Sequence, residues 1–206
     1  MTSEPPRPVC RRSLLSGGLA FGLLLLLPVT GRASPAERAQ AHVAQLSREL
    51  LALINSGLPE ASLYGEFERL LARHADMPAV AAATLGPPWR NATPQQRERF
   101  VAAYQAYLAR RYGRQFRDFQ QSRLAITRVR DAGSAGVLVE TRLSQPGRSD
   151  IAVDWQVSER SGQPRVVNLI VEGISMLANE RAEIGTMLEA QRGSIDGLIQ
   201  ALRARA

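Results

Sequence analysis

Few residues in this chain could do covalent or metal chemistry. It has 206 residues, two histidines (His42 and His74) and one cysteine (Cys10). All 26 basic residues are arginine, so neither Schiff-base chemistry nor a phosphate-binding P-loop, both of which use a lysine ammonium, is available. One cysteine excludes an internal disulfide and a Cys-rich zinc site, and two histidines exclude a His-rich one. No GxSxG elbow accompanies a histidine for acyl transfer. His42 falls on the polar side of a helix, and His74 at a helix end beside Asp76, where a surface role is expected. Asp154 next to Trp155 could act as a raised-pKa base if it pointed inward, but its alternation partners Gln156 and Ser158 are polar and place it toward solvent. Glu172 follows an apolar run and precedes Gly173, where the chain must turn; a carboxylate there holds the turn through backbone N–H groups or an arginine. No catalytic residue, metal site or cofactor is expected.

The N-terminus reads as an address. Arg7 to Arg12 is basic, Ser13 to Thr30 carries no charge, and Gly31-Arg32-Ala33 offers small residues for a peptidase. Residues 1–33 are thus expected to be a cleavable signal peptide that exports the protein, with an uncleaved membrane anchor as the alternative. Arg11-Arg12 before leucines resembles a twin-arginine signal. Without those residues the chain keeps 22 arginines and 18 acids, a net charge of +4. That mild excess suits an anionic lipid surface or an acidic partner. The arginines are spread along the chain rather than clustered, which speaks against nucleic acid.

The remainder, residues 34–206, is expected to form a single domain: helical over 34–120, sheet over 121–172, and helical again over 174–205. Ser34-Pro35-Ala36-Glu37 and Thr93-Pro94-Gln95-Gln96 read as capping boxes with proline in the first turn. Between them lie a helix ending at Asn55-Ser56-Gly57, a second from about Glu60, and a short third from Asp76-Met77-Pro78 to Gly86. The longest helix is expected to run from Thr93 to about Phe119, with Phe100, Tyr104, Tyr107, Leu108, Tyr112, Phe116 and Phe119 on one stripe. After Gln121 the apolar period shortens to two. Strands follow, one beginning with Leu124 and Ile126 and others at Val137–Leu143, Ile151–Ser158 and Val166–Val171, with Pro146-Gly147 and Ser161-Gly162 as turns. This is an α+β fold: a curved four-stranded antiparallel sheet, apolar on one face, wrapped by helices.

Val166-Val167-Asn168-Leu169-Ile170-Val171-Glu172-Gly173-Ile174-Ser175-Met176 resembles the strand-to-helix signature of the MlaC, or toluene-tolerance, family. Leu85-Gly86, Trp89-Arg90, Phe100, Tyr112, Ile151-Ala152-Val153-Asp154-Trp155 and Gly193-Ser194-Ile195-Asp196-Gly197-Leu198-Ile199 match in the same order. The resemblance implies a cone-like, nuclear-transport-factor-like fold holding acyl chains in an apolar cavity. It implies a monomeric periplasmic phospholipid carrier between an outer-membrane lipoprotein complex and an inner-membrane ABC transporter with its substrate-binding-domain subunit. Such a carrier maintains outer-membrane lipid asymmetry. A related HpnM-like branch is tied to hopanoids.

Such cargo sets a physical demand. About 30 methylenes at ~0.8 kcal/mol each make exposure of both tails cost over ~20 kcal/mol. The cavity is therefore expected near the upper end of the usual range of about 300–1,000 Å³, with an apolar lining throughout. The headgroup would stay in water, giving broad headgroup tolerance. The wall residues expected from the helices are Phe67, Leu70, Val80, Phe100, Tyr104, Tyr107, Leu108 and Tyr112. From the sheet they are Val139, Ile151, Val153, Trp155, Leu169 and Val171, followed past the Glu172-Gly173 turn by Ile174 and Leu177. Two other readings make different demands: a small cone-fold enzyme needs an acidic or tyrosyl group deep in the pocket, and an envelope adaptor needs a filled core.

Overall fold

The computed structural model describes residues 33–206. Residues 1–32, nearly all of the expected signal peptide, lie outside those residues.

Both capping boxes form. Ser34 accepts the Glu37 N–H while Glu37 reaches back to the Ser34 N–H, starting α1 (Pro35–Ile54). Thr93 and Gln96 do the same for α5 (Pro94–Gly113). Between them lie α2 (Glu60–His74), α3 (Met77–Leu85) and the single turn α4 (Pro88–Asn91). The expected continuation of α5 to Phe119 is corrected. The helix stops at Gly113, and Phe116–Phe119 form a 3₁₀ turn. Gly113 sits so close to α2 that a Cβ would lie 2.7 Å from the Tyr64 ring. The tighter 3₁₀ turn repeats every three residues, so it kept Phe116 and Phe119 in phase with the helical stripe and hid the break from periodicity.

The sheet follows as β1 (Arg123–Asp131), β2 (Val137–Ser144), β3 (Ile151–Ser158), β4 (Arg165–Val171) and β5 (Ile174–Ser175), then α6 (Met176–Ala190) and α7 (Ile195–Arg203). Neighbouring strands are antiparallel in the order β1-β2-β3-β4-β5. The expected four strands are thus five. The extra strand is only two residues long, below what an alternating pattern can reveal. Glu172 (φ 49°) and Gly173 (φ 79°) form the two-residue link before it, with positive φ at both positions as a primed hairpin turn requires. The Glu172 carboxylate accepts the Ala152 N–H, and the Glu172 N–H donates to the Ala152 carbonyl at 3.0 Å, tying the turn to β3. The pairing register shifts at Ile126/Arg128 and at Gln156/Val157.

Apolar side chains gather in two clusters. One lies between α1, α2 and the sheet and contains Val43, Leu46, Phe67, Leu70, Val139, Val153 and Trp155. The other joins α3, α5, α6 and α7 through Met77, Phe100, Tyr104, Ile184, Leu198 and Leu202. Among the described residues no helix is long and apolar enough to cross a membrane.

Candidate functional site: an apolar cavity between sheet and helices

The two clusters do not close on each other. Between them is a cavity of about 410 Å³. Phe67, Leu70, Val80, Tyr104, Leu108 and Tyr112 line it from the helices, and Ile151, Val153, Trp155, Leu169 and Val171 from the sheet, with Leu177 after the turn. Strand alternation explains the sheet side. Val153 and Trp155 face the helices, while Asp154 between them faces away, paired across the strands with Glu140. Partial burial and the Glu140 charge push the Asp154 carboxyl above its ordinary range.

Trp155 could have brought an unpaired N–H into this wall. Its Nε1 instead donates to Thr141 Oγ1 at 3.1 Å, and that hydroxyl donates to the Val153 carbonyl at 2.6 Å. The indole can then offer only apolar surface to the cavity.

Four expected wall residues lie elsewhere. Phe100 and Tyr107 are buried in the α5–α7 cluster, because the aromatic stripe of α5 is wide enough to serve both the cavity and the helix–helix core. Val139 is fully buried beside α1 and α2. Ile174 stands on the edge strand β5, 57% exposed. The stretch not anticipated as wall is the C-terminal half of α1: Leu46, Leu50, Leu51 and Ile54 line the cavity. Their apolar period was visible, but periodicity does not distinguish a side chain that fills a core from one that borders a hollow. Phe116 and Phe119 of the 3₁₀ turn, and Leu124 and Leu143 at one end of β1 and β2, complete that side.

The volume lies in the lower half of the expected range rather than at its upper end. Large rings project from both layers and occupy much of the space between them: Phe67 and Phe116 (centroids 4.7 Å apart), Phe119, Trp155, Tyr104 and Tyr112.

Polar residues also break the expectation of a wholly apolar lining: Gln115 and Asn168 border the cavity, and so do two titratable groups, His74 and Glu180. His74, expected at the surface, is only 5% exposed. Asp76 caps α3 instead of pairing with it, and Ala75 bridges to Val166, which draws the end of α2 against the sheet. His74 Nε2 meets Glu49 Oε2 at 3.0 Å, Arg73 donates to the same oxygen at 2.9 Å, and His42 Nε2 donates to the His74 carbonyl at 3.0 Å. Hydrogen bonds from His74, Arg73 and Gln45 hold the Glu49 carboxyl down to about 2. Burial lowers the His42 pKa.

The second is Glu180 on α6, 4% exposed. Its Oε1 accepts the Tyr112 hydroxyl at 2.6 Å and lies 3.2 Å from Arg111 Nε. Its Oε2 accepts the Tyr104 hydroxyl at 3.4 Å. Burial first, and then the Glu180 carboxylate, push both tyrosine hydroxyls upward in pKa, so they remain protonated donors. The available signal was phase: Leu177, Glu180 and Ile184 share the i, i+3, i+7 stripe of α6, a carboxylate on an apolar face. Among the described residues no group of three His, Cys, Asp or Glu side chains could hold a metal ion.

An antiparallel sheet and helices with a largely apolar hollow between them define an α+β domain with an internal cavity. The family model described as "MlaC protein" matches residues 44–204, and the chain belongs to the MlaC family. Among solved structures, a phospholipid-binding protein from Ralstonia solanacearum, determined in complex with a phospholipid, superimposes with a TM-score of 0.70. The two are 21% identical, and the match covers 81% of this chain and 96% of that one; at this identity the likeness shows the fold.

Proposed function

We propose that the protein binds phospholipid by its acyl tails and carries it through the periplasm. The observation that carries this reading is the cavity of about 410 Å³ between sheet and helices, lined by apolar and aromatic side chains apart from His74, Gln115, Asn168 and Glu180. Membership of the MlaC family and the fold shared with a phospholipid-binding protein support it. A hollow of this kind is a packing defect without cargo, since cavity walls forgo contacts that a core would make. A domain that needed only stability would fill it, which weighs against a purely structural adaptor.

In this reading a cleavable leader exports the chain. The carrier then passes lipid as a monomer between an outer-membrane lipoprotein complex and an inner-membrane ABC transporter with its substrate-binding-domain subunit, preserving outer-membrane lipid asymmetry. A hopanoid or other apolar cargo would satisfy the same wall.

Glu180, Tyr104 and Tyr112 supply the acidic and tyrosyl groups that an enzyme of similar shape would need. Their arrangement favours binding over catalysis. Arg111 and Tyr112 occupy Oε1, and both tyrosines hold their protons more tightly than usual, so neither is a ready base. The chain is proposed not to be an enzyme.

Organic extraction of the protein purified from bacteria, followed by mass spectrometry, tests the reading. About one intact phospholipid per chain is expected; a hopanoid would redirect it. Stable, lipid-free protein would overturn it, and accumulation of hydrolysed lipid on incubation would revive the enzyme.

A further inference from the structure

A second concavity, of about 340 Å³, lies where residues of α3, α4 and α6 meet. It is distinct from the tail cavity: Val80 on α3 borders the latter, whereas Ala82 and Ala83 of the same helix border this pocket. Two arginines from different elements line it, Arg90 from α4 and Arg181 from α6, and no carboxylate does. Neither guanidinium has an ion pair or a hydrogen-bond partner among the described residues. On α6 the positions three and four residues from Arg181 are Leu177, Ala178, Ile184 and Gly185, so its own helix supplies no counter-charge.

Both arginines are held in place by their surroundings. A Cβ at Gly86 (φ 69°) would lie 3.2 Å from Arg181 Nη2, so bare backbone at that corner is what lets the guanidinium lie against it. Arg90 follows Trp89 on a turn that Arg97 pins. Arg97 Nε donates to the Trp89 carbonyl at 3.0 Å and Nη2 to the Arg90 carbonyl at 3.1 Å, and the guanidinium sits 5.4 Å from the centre of the Trp89 ring. Arg97 thus brings a third positive charge to the same corner, and an anion in the pocket would offset the repulsion among them. A single guanidinium fork already matches the two oxygens of a carboxylate; two guanidiniums arriving from separate elements suit the additional oxygens of a phosphate. The flanking surface indicates where that phosphate stands. No residue from Met77 to Trp89 is charged, and Pro78, Ala79 and Pro87 are exposed. Such a shoulder can approach a bilayer without stripping water from charges, and a half-buried tryptophan beside it is the side chain that settles at headgroup level.

We propose that Arg90 and Arg181 form an anion pocket that takes the phosphate of an anionic phospholipid headgroup and so docks the protein on a membrane surface. This goes beyond cargo binding. The lipid recognised here stays in its bilayer, and its tails do not enter the cavity between sheet and helices.

The test floats the purified protein with vesicles of phosphatidylcholine alone and of phosphatidylcholine mixed with phosphatidylglycerol. The wild type is expected to favour the mixed vesicles by about thirtyfold, from two arginines at about 1 kcal/mol each. Arg90→Gln and Arg181→Gln should each lose about fivefold of that preference. Arg48→Gln removes an exposed arginine from α1 and should keep the wild-type preference. Equal partitioning of the wild type onto the two vesicles overturns the proposal. So does a loss in Arg48→Gln as large as in the pocket variants, which would mean diffuse attraction. Soluble glycerol phosphate and polyglutamate are titrated separately by calorimetry. Arg181-dependent binding of either, with no preference between the vesicles, assigns the pocket to a free phosphate or an acidic protein and refutes membrane docking. Both pocket variants should keep the wild-type content of co-purified lipid, so failure of docking and failure of the tail cavity are read apart.

Discussion

Val153→Asp places a carboxylate in the middle of the proposed tail site. Val153 is 7% exposed, pairs with Thr141 on β2 and Val171 on β4, and borders the cavity. The substitution first loses the burial of the valine, about 1.5–3 kcal/mol. The new carboxyl must then either ionise against an apolar wall or stay protonated. Holding it protonated at neutral pH means raising its pKa by about three units, which costs about 4 kcal/mol. Together these consume much of a typical stability of about 5–15 kcal/mol, leaving a folded but weakened protein. An ionised carboxylate that keeps water against about four methylenes forfeits about 3 kcal/mol of tail burial, roughly a hundredfold in affinity. The folded-state pKa is raised, so the damage is present at high pH and relieved as pH falls toward that raised value. The assay is phospholipid per chain after purification, with thermal melts at neutral and mildly acidic pH. Arg97→Ala is the control, since Arg97 donates to the Trp89 and Arg90 carbonyls away from the cavity. Wild-type lipid content and melting temperature in Val153→Asp would refute the register that aims this side chain at the hollow.

Three further outcomes follow from the same geometry. Leu50→Trp, on the α1 wall, should fill part of the hollow: lipid occupancy falls severalfold while the melting temperature of the lipid-free protein holds or rises. A drop of about 1–3 kcal/mol in chemical denaturation would mean that the site is tightly packed. Glu49 is held down to about 2, so its contribution to stability is present above the ordinary carboxylate range and is lost as pH falls through about 2. Glu49→Gln should therefore flatten the acid side of the stability–pH curve between pH 4.5 and 2, and an unchanged curve would deny the His74 and Arg73 contacts their role. Glu172→Ala removes the acceptor of the Ala152 N–H and leaves a non-glycine residue at φ 49°, for a loss of about 1 kcal/mol in urea melts. Glu172→Asn, which tolerates that backbone, should recover part of it.

Order and type of the elements were written locally. The Ser34 and Thr93 capping boxes, the change of apolar period after Gln121 and the turns at Pro146-Gly147 and Ser161-Gly162 each act within a few residues, so they could be read without knowing what packs where. The alternation of Val153 and Trp155 with Asp154 likewise fixed which face of β3 is apolar. What the apolar faces enclose is set by long-range packing. The same i, i+3, i+4 spacing describes Leu46 and Leu50 at the hollow and Phe100 in solid core, because it records which way a side chain points and not how far away the opposite wall stands. Burial of His74 required the bridge from Ala75 to Val166, and the setting of Glu180 required Tyr104, Tyr112 and Arg111 to converge on α6. Contacts between segments dozens of residues apart leave no periodic trace, so tertiary structure alone decided where the cavity lies and where its lining turns polar.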